Sequence, residues 1–106
     1  YLTGKYQDGQ VPEGSRKAIS EGMGGRTTPR VDDAVAAYLD IAARFDIDPT
    51  HLAMQWTRTR PFPTIPIFGA TTSAQLAHIL QAPAISLSED LLAEVSNAHR
   101  AHPMPY

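Results

Sequence analysis

The sequence predicts an α/β chain that is mostly helical and carries a single strand. Three observations lead there. Apolar residues recur at helical spacing over residues 31–60 and again near the C-terminus. One short apolar run, Thr64-Ile65-Pro66-Ile67-Phe68, stops at Gly69 and reads as a buried strand. Residues 1–30 show no periodicity and hold six of the seven glycines. A lone strand cannot make a sheet, because its N–H and C=O groups need a neighbour. The expectation is therefore a portion of a larger α/β fold, with partner strands outside this sequence or in another chain.

Composition narrows the classes. The chain has 106 residues, 42% apolar and 19% charged, which is globular rather than disordered usage. A net charge of −2 gives no electrostatic footprint for nucleic acid or an anionic membrane, so neither is expected as a partner. The absence of cysteine excludes disulfides and thiolate metal sites and makes a reducing cytoplasm the expected compartment. No apolar run nears the roughly 20 residues that span a bilayer, and Tyr1-Leu2-Thr3-Gly4-Lys5-Tyr6 is not a signal peptide. A start at Tyr rather than Met fits a chain that begins part-way through a longer one.

Residues 1–30, with Pro12, Pro29 and the cations Lys5, Arg16, Lys17, Arg26 and Arg30, read as a long loop, a feature usually tied to function. Over 31–45, Val31, Ala34, Val35, Tyr38, Ile41, Ala42 and Phe45 outline one apolar helix face, with Asp32 and Asp33 favouring its N-terminal dipole. Asp48 and Pro49 form an N-cap and first position for a second helix with the stripe Leu52, Ala53 and Trp56, ended by Pro61 and Pro63. Within the predicted strand 64–68, Pro66 is the dissonant residue, since it cannot donate to a ladder. Thr71, Thr72 and Ser73 offer caps for a short helix to about Gln81, closed by Pro83. Ser88 opens the last helix, with Glu89 and Asp90 in its first turn, Leu87 stapled on Leu92, and Leu91, Leu92, Val95 and Ala98 buried. The tail His102-Pro103-Met104-Pro105-Tyr106 cannot continue it.

Chemistry concentrates at Ile67-Phe68-Gly69-Ala70-Thr71-Thr72-Ser73-Ala74-Gln75. A strand end, a glycine, a hydroxyl-rich turn and a helix start together suit an anion, and such a turn after the last strand of a β/α barrel is a recurrent phosphate site. Plain capping explains the same residues. Lys5 and Arg16, set among glycines, suit a diphosphate, or are solvated surface charges. Gly22-Met23-Gly24-Gly25 follows no strand and reads as a connector. Of His51, His78, His99 and His102 only the last two are close in sequence, no cysteine or nearby carboxylate completes a ligand group, and surface histidines without metal are expected. Trp56 reads as core. Tyr1, Tyr6, Tyr38 and Tyr106 have no recognisable base, so no catalytic residue is assigned.

Taken in order, these segments resemble the C-terminal third of an aldo-keto reductase, in the branch that includes potassium-channel β subunits and related bacterial reductases. Leu2-Thr3-Gly4-Lys5-Tyr6 resembles the stretch after the seventh strand of the family's (β/α)8 barrel, and Pro12-Glu13-Gly14-Ser15-Arg16 the loop that follows. Leu52-Ala53-Met54-Gln55-Trp56 with Arg60-Pro61 is similar to the next helix. Ile65 to Leu76 resembles the eighth strand and its cofactor loop, and Ile85-Ser86-Leu87-Ser88 the entry to the last helix. The resemblance covers the whole chain and implies a division into a cofactor loop (1–30), two helices (31–60), the last barrel strand (64–68) and a cofactor loop with C-terminal helices (69–106).

The resemblance also implies activity: reduction of aldehydes or ketones by hydride from NADPH. Lys5 and Arg16 would hold the cofactor phosphates, and Gly69, Thr71 and Gln75 the adenosine 2′-phosphate end. The partners would be a small carbonyl substrate and the remainder of the barrel. Two departures stand out. His78 and Ile79 occupy positions where the family has Glu-Asn reading the adenine, which leaves the balance of NADPH and NADH open. The family's catalytic Asp, Tyr, Lys and His lie upstream of Tyr1, so this chain alone is expected to be inactive. A non-enzymatic regulatory or interaction domain, or an inactive remnant of the same fold, is the alternative.

Overall fold

The first three long elements start where side-chain caps dictate. Thr28 accepts from the Val31 N–H, and Pro29 takes the first position of a 16-residue helix, so this element begins two residues ahead of the apolar periodicity. In the computed structural model, which describes residues 1–105, five α-helices follow in order. They are α1 (Arg16–Ile19), α2 (Pro29–Arg44), α3 (Pro49–Arg58), α4 (Ser73–Ile79) and α5 (Glu89–Ala101). Short 3-10 turns lie at Gln7–Gly9 and Ala82–Ala84. The expected role of Tyr106 lies outside the described residues.

α2 ends in a Schellman turn. Asp46 takes φ +50°, the left-handed conformation that Asp tolerates, while the Ile47 N–H reaches the Ala42 carbonyl and the Asp46 N–H the Ala43 carbonyl. The turn sends Ile47 into the core and delivers Asp48 to cap α3. α5 starts as expected, with Ser88 accepting from the Leu91 N–H and Leu87 and Leu92 both packed on the core.

The core is the seam between α2 and α5, closed by the first turn of α3. Ile41, Ala42, Leu52, Leu91, Val95 and Ala98 form it, with Tyr38 and Phe45 half-buried at its edge. It is thin: among the described residues no large side chain is fully buried. The radius of gyration is 14.1 Å, against about 13 Å for a compact domain of 100 residues.

The predicted strand is not present. Residues 64–68 belong to no helix or strand, and no strand occurs among the described residues. Ile65 is 91% and Ile67 97% exposed, so the run is not buried either. The physical reason is the missing ladder: among the described residues no strand lies alongside to accept its N–H groups. This chain by itself therefore does not display barrel architecture. Three smaller corrections follow. The loop over 1–30 contains the four-residue α1, capped by Ser15 through the Ala18 N–H. α4 stops at Ile79, and Pro83 lies inside a 3-10 turn rather than closing the helix. Trp56 is 36% exposed, not core.

Candidate functional site

The two basic segments flagged in the sequence meet at one buried phenol. Tyr6 is 3% exposed, and its hydroxyl accepts from the Lys17 N–H at 3.3 Å. The Lys5 ammonium lies 5.2 Å and the Lys17 ammonium 5.7 Å from its ring centroid, within cation–π range. Burial pushes the Tyr6 hydroxyl up, but the Lys17 N–H, the Ser15 hydroxyl and Lys5 outweigh it and hold it below the ordinary phenol range. Tyr6 thus fastens the Lys5 turn to α1, whose first residue is Arg16. Lys5 and Arg16 are both exposed at this junction. Lys17 joins them there, although the sequence marks it only as one cation of the loop.

The Gly69–Gln75 turn closes on itself. Gln75 Oε1 accepts from the Thr71 N–H at 2.8 Å and from the Thr71 hydroxyl at 3.0 Å. Thr72 Oγ1 accepts from the Gln75 N–H at 3.1 Å. Capping is therefore a sufficient local account of Thr71, Thr72 and Gln75. Gly69 is exposed, and a Cβ placed on it would meet nothing within 4 Å. Among the described residues no hydrogen bond joins this turn to Lys5 or Arg16.

A third cluster was not legible. His51 is not a surface residue: it is 7% exposed and sits in the first turn of α3. Its Nε2 donates to the His78 carbonyl at 2.7 Å, across to the end of α4. The two imidazoles stack, with centroids 4.4 Å apart. A carboxylate completes the group: His78 Nε2 lies 3.1 Å from Asp48 Oδ1. The same oxygen accepts from the Thr50 N–H at 2.8 Å and the His51 N–H at 3.2 Å. Partial burial pushes the Asp48 carboxyl up, yet the His51 N–H, the His78 ring and the Thr50 N–H prevail and hold it below the ordinary range. The Asp48–His51 spacing at a helix start is visible in the sequence, but His78 comes from a different helix and only packing brings it in. Beside this cluster, buried Gln55 donates from Nε2 to the Ala82 carbonyl.

The opposite face of α3 is open. Leu2, Tyr38, Leu52, Trp56 and Ile67 help line a groove of about 690 Å³, largely apolar. The Arg60 guanidinium lies 4.2 Å from the Trp56 ring centroid, and its Nε is buried without a partner. No helix among the described residues is long and apolar enough to cross a membrane.

Known proteins are similar to this sequence. Residues 1–100 match the model of the Aldo/keto reductase family. Protein tas of Escherichia coli (strain K12) is 38% identical over 104 residues, which cover 98% of this chain and 30% of that protein. Protein tas of Shigella flexneri matches to the same extent. A putative voltage-gated potassium channel subunit beta of Schizosaccharomyces pombe is 35% identical over 86 residues, covering 76% of this chain and 25% of that protein. The chain thus spans about a third or less of the length of these relatives. On the match over residues 1–100, and on the order of motifs from Leu2 to Ser88, the chain belongs to the aldo/keto reductase family.

Proposed function

We propose that this chain is the C-terminal, cofactor-phosphate-holding portion of an NADPH-dependent reductase of aldehydes or ketones. The observation that supports the reading is the Tyr6 junction, where Lys5 and Lys17 flank one ring beside α1, the helix that Arg16 opens, within a chain of this family. That donor set suits a diphosphate: a forked guanidinium for paired oxygens and ammonium point charges beside it. Gly69 leaves backbone room for a ligand, and Thr71 and Gln75 can exchange their mutual bonds for bonds to a phosphate.

When bound, NADPH supplies a hydride to the carbonyl carbon. What this chain contributes is binding and orientation of the cofactor's charged end. The proton donor is not among its residues, so the purified 106-residue chain is expected to show no carbonyl reduction. His78 and Ile79 supply neither the carboxylate nor the amide of related chains. His78 is engaged with Asp48, and Ile79 is 8% exposed and serves packing. Adenine recognition is therefore weaker in this reading. Residues 64–68 pair, in the same reading, with strands contributed from outside this chain, which would cover Ile65 and Ile67.

The test is a fluorescence titration of NADPH with the protein at its full natural length. Lys5→Ala and Arg16→Ala each weaken binding about tenfold or more, the loss of one charge-assisted hydrogen bond. Unchanged affinity removes both residues from the site. A second reading, a regulatory subunit of the same fold, is favoured by the relative named as a potassium channel subunit beta. It predicts NADPH binding with no turnover of any carbonyl by the full-length protein.

A further inference from the structure

We propose that Asp48, His51 and His78 form a binding site for one divalent transition-metal ion of the zinc class, fastening the end of α4 to the start of α3. The inference stands apart from the proposed phosphate-holding residues Lys5, Arg16, Gly69, Thr71 and Gln75 and uses none of them. One ligand atom from each of the three side chains lies within 4.8 Å of the other two. Two imidazoles and a carboxylate are a zinc-type donor set, whereas calcium and magnesium prefer oxygen alone.

The surroundings favour ligation as well as proximity. A carbonyl can only accept, so the contact between His51 Nε2 and the His78 carbonyl fixes the His51 proton on Nε2. The lone pair is then on Nδ1, with the other ring nitrogen anchored to a backbone carbonyl, as metal-binding histidines are commonly held. Asp48 Oδ1 is oriented by the Thr50 and His51 N–H groups, which leaves Oδ2 without such a bond. His51 is buried, while the side chains of His78 and Asp48 are 44% and 36% exposed. An ion can therefore enter from the solvent side, and a water can complete a tetrahedral shell.

One movement is required. Imidazole lone pairs lie in the ring plane, and the two rings are stacked with 26° between planes. The His78 ring must turn about its Cβ–Cγ bond, a broad torsion, and exchange its 3.1 Å contact with Asp48 for the ion. Its partial exposure leaves room for that turn.

The experiment uses the full-length protein stripped of metal by a chelator, with Co²⁺ as the optical probe and Zn²⁺ as competitor. Expected are one equivalent of Co²⁺ per chain, visible d–d absorption, and displacement by Zn²⁺. Asp48→Asn, which keeps a good helix cap, and His78→Gln each weaken binding about tenfold or more. His99→Gln and His102→Gln leave it unchanged. Zn²⁺ also raises the melting temperature of the parent protein and not that of His78→Gln. Absence of saturable Co²⁺ binding overturns the proposal. So does an affinity in Asp48→Asn and His78→Gln unchanged from that of the parent protein, which would put the ion elsewhere.

Discussion

Asp48 links two helices through one carboxylate. It caps α3 through two backbone N–H groups and meets His78 from another helix. Asp48→Ala is expected to cost about 1 kcal/mol in urea unfolding, and Asp48→Asn much less, since Asn caps almost as well. The pH dependence has a definite sign. The folded pKa lies below the usual carboxylate value, so the stabilisation is present above the unfolded pKa and fades as pH falls through the folded one. Acid titration of Asp48→Asn should show a smaller stability loss below about pH 4 than the parent chain does. Gln55 is buried and donates to the Ala82 carbonyl, which also accepts from the Ile85 N–H. Gln55→Leu removes one of that carbonyl's two donors, and a loss of about 0.5–1.5 kcal/mol is expected in the same measurement.

At the scale of elements, helix starts were legible and buried faces were only partly so. Asp48, Thr72 and Ser88 cap as the sequence indicates, because capping is written into three or four consecutive residues, whereas Thr28 caps α2 two residues ahead of its predicted start. α2 and α5 bury the faces their periodicity marks. α3 does not: its buried residues are His51, Leu52 and Gln55, while Trp56 lies in the open groove. Leu52 of the apolar stripe packs in the core while Ala53 and Trp56 line the groove, and the polar face turns to α4 and the 3-10 turn, where His51 and Gln55 add second donors to the His78 and Ala82 carbonyls. The α2–α5 seam is the test of where stability resides. Leu91→Ala should cost about 2–4 kcal/mol, read as a lower unfolding midpoint, because Leu91 is 3% exposed in that seam.

At the scale of the molecule, the exposed apolar side chains are as informative as the buried ones. Ile65, Ile67 and Phe62 lie in water, the groove beside Trp56 is unfilled, and the Arg60 Nε is buried without a partner. Those features suit a chain spanning about a third of its relatives' length. A double substitution, Ile65→Ser with Ile67→Ser, should change the stability of the isolated chain by no more than about 0.5 kcal/mol, as for surface positions. In the full-length protein it should destabilise strongly, if outside strands cover the segment as proposed. The sequence by itself determined the family, the caps of α3, α4 and α5 and the helical periods of α2 and α5, since each is encoded in neighbouring residues or a linear order of motifs. Only the tertiary structure decided that Tyr6 joins Lys5 to the Arg16 helix, that α3 buries His51 and Gln55, and that His78 meets Asp48 from another helix. Such meetings depend on how separate helices pack, and the apolar run at 64–68 becomes a strand only where a neighbouring backbone offers its hydrogen bonds.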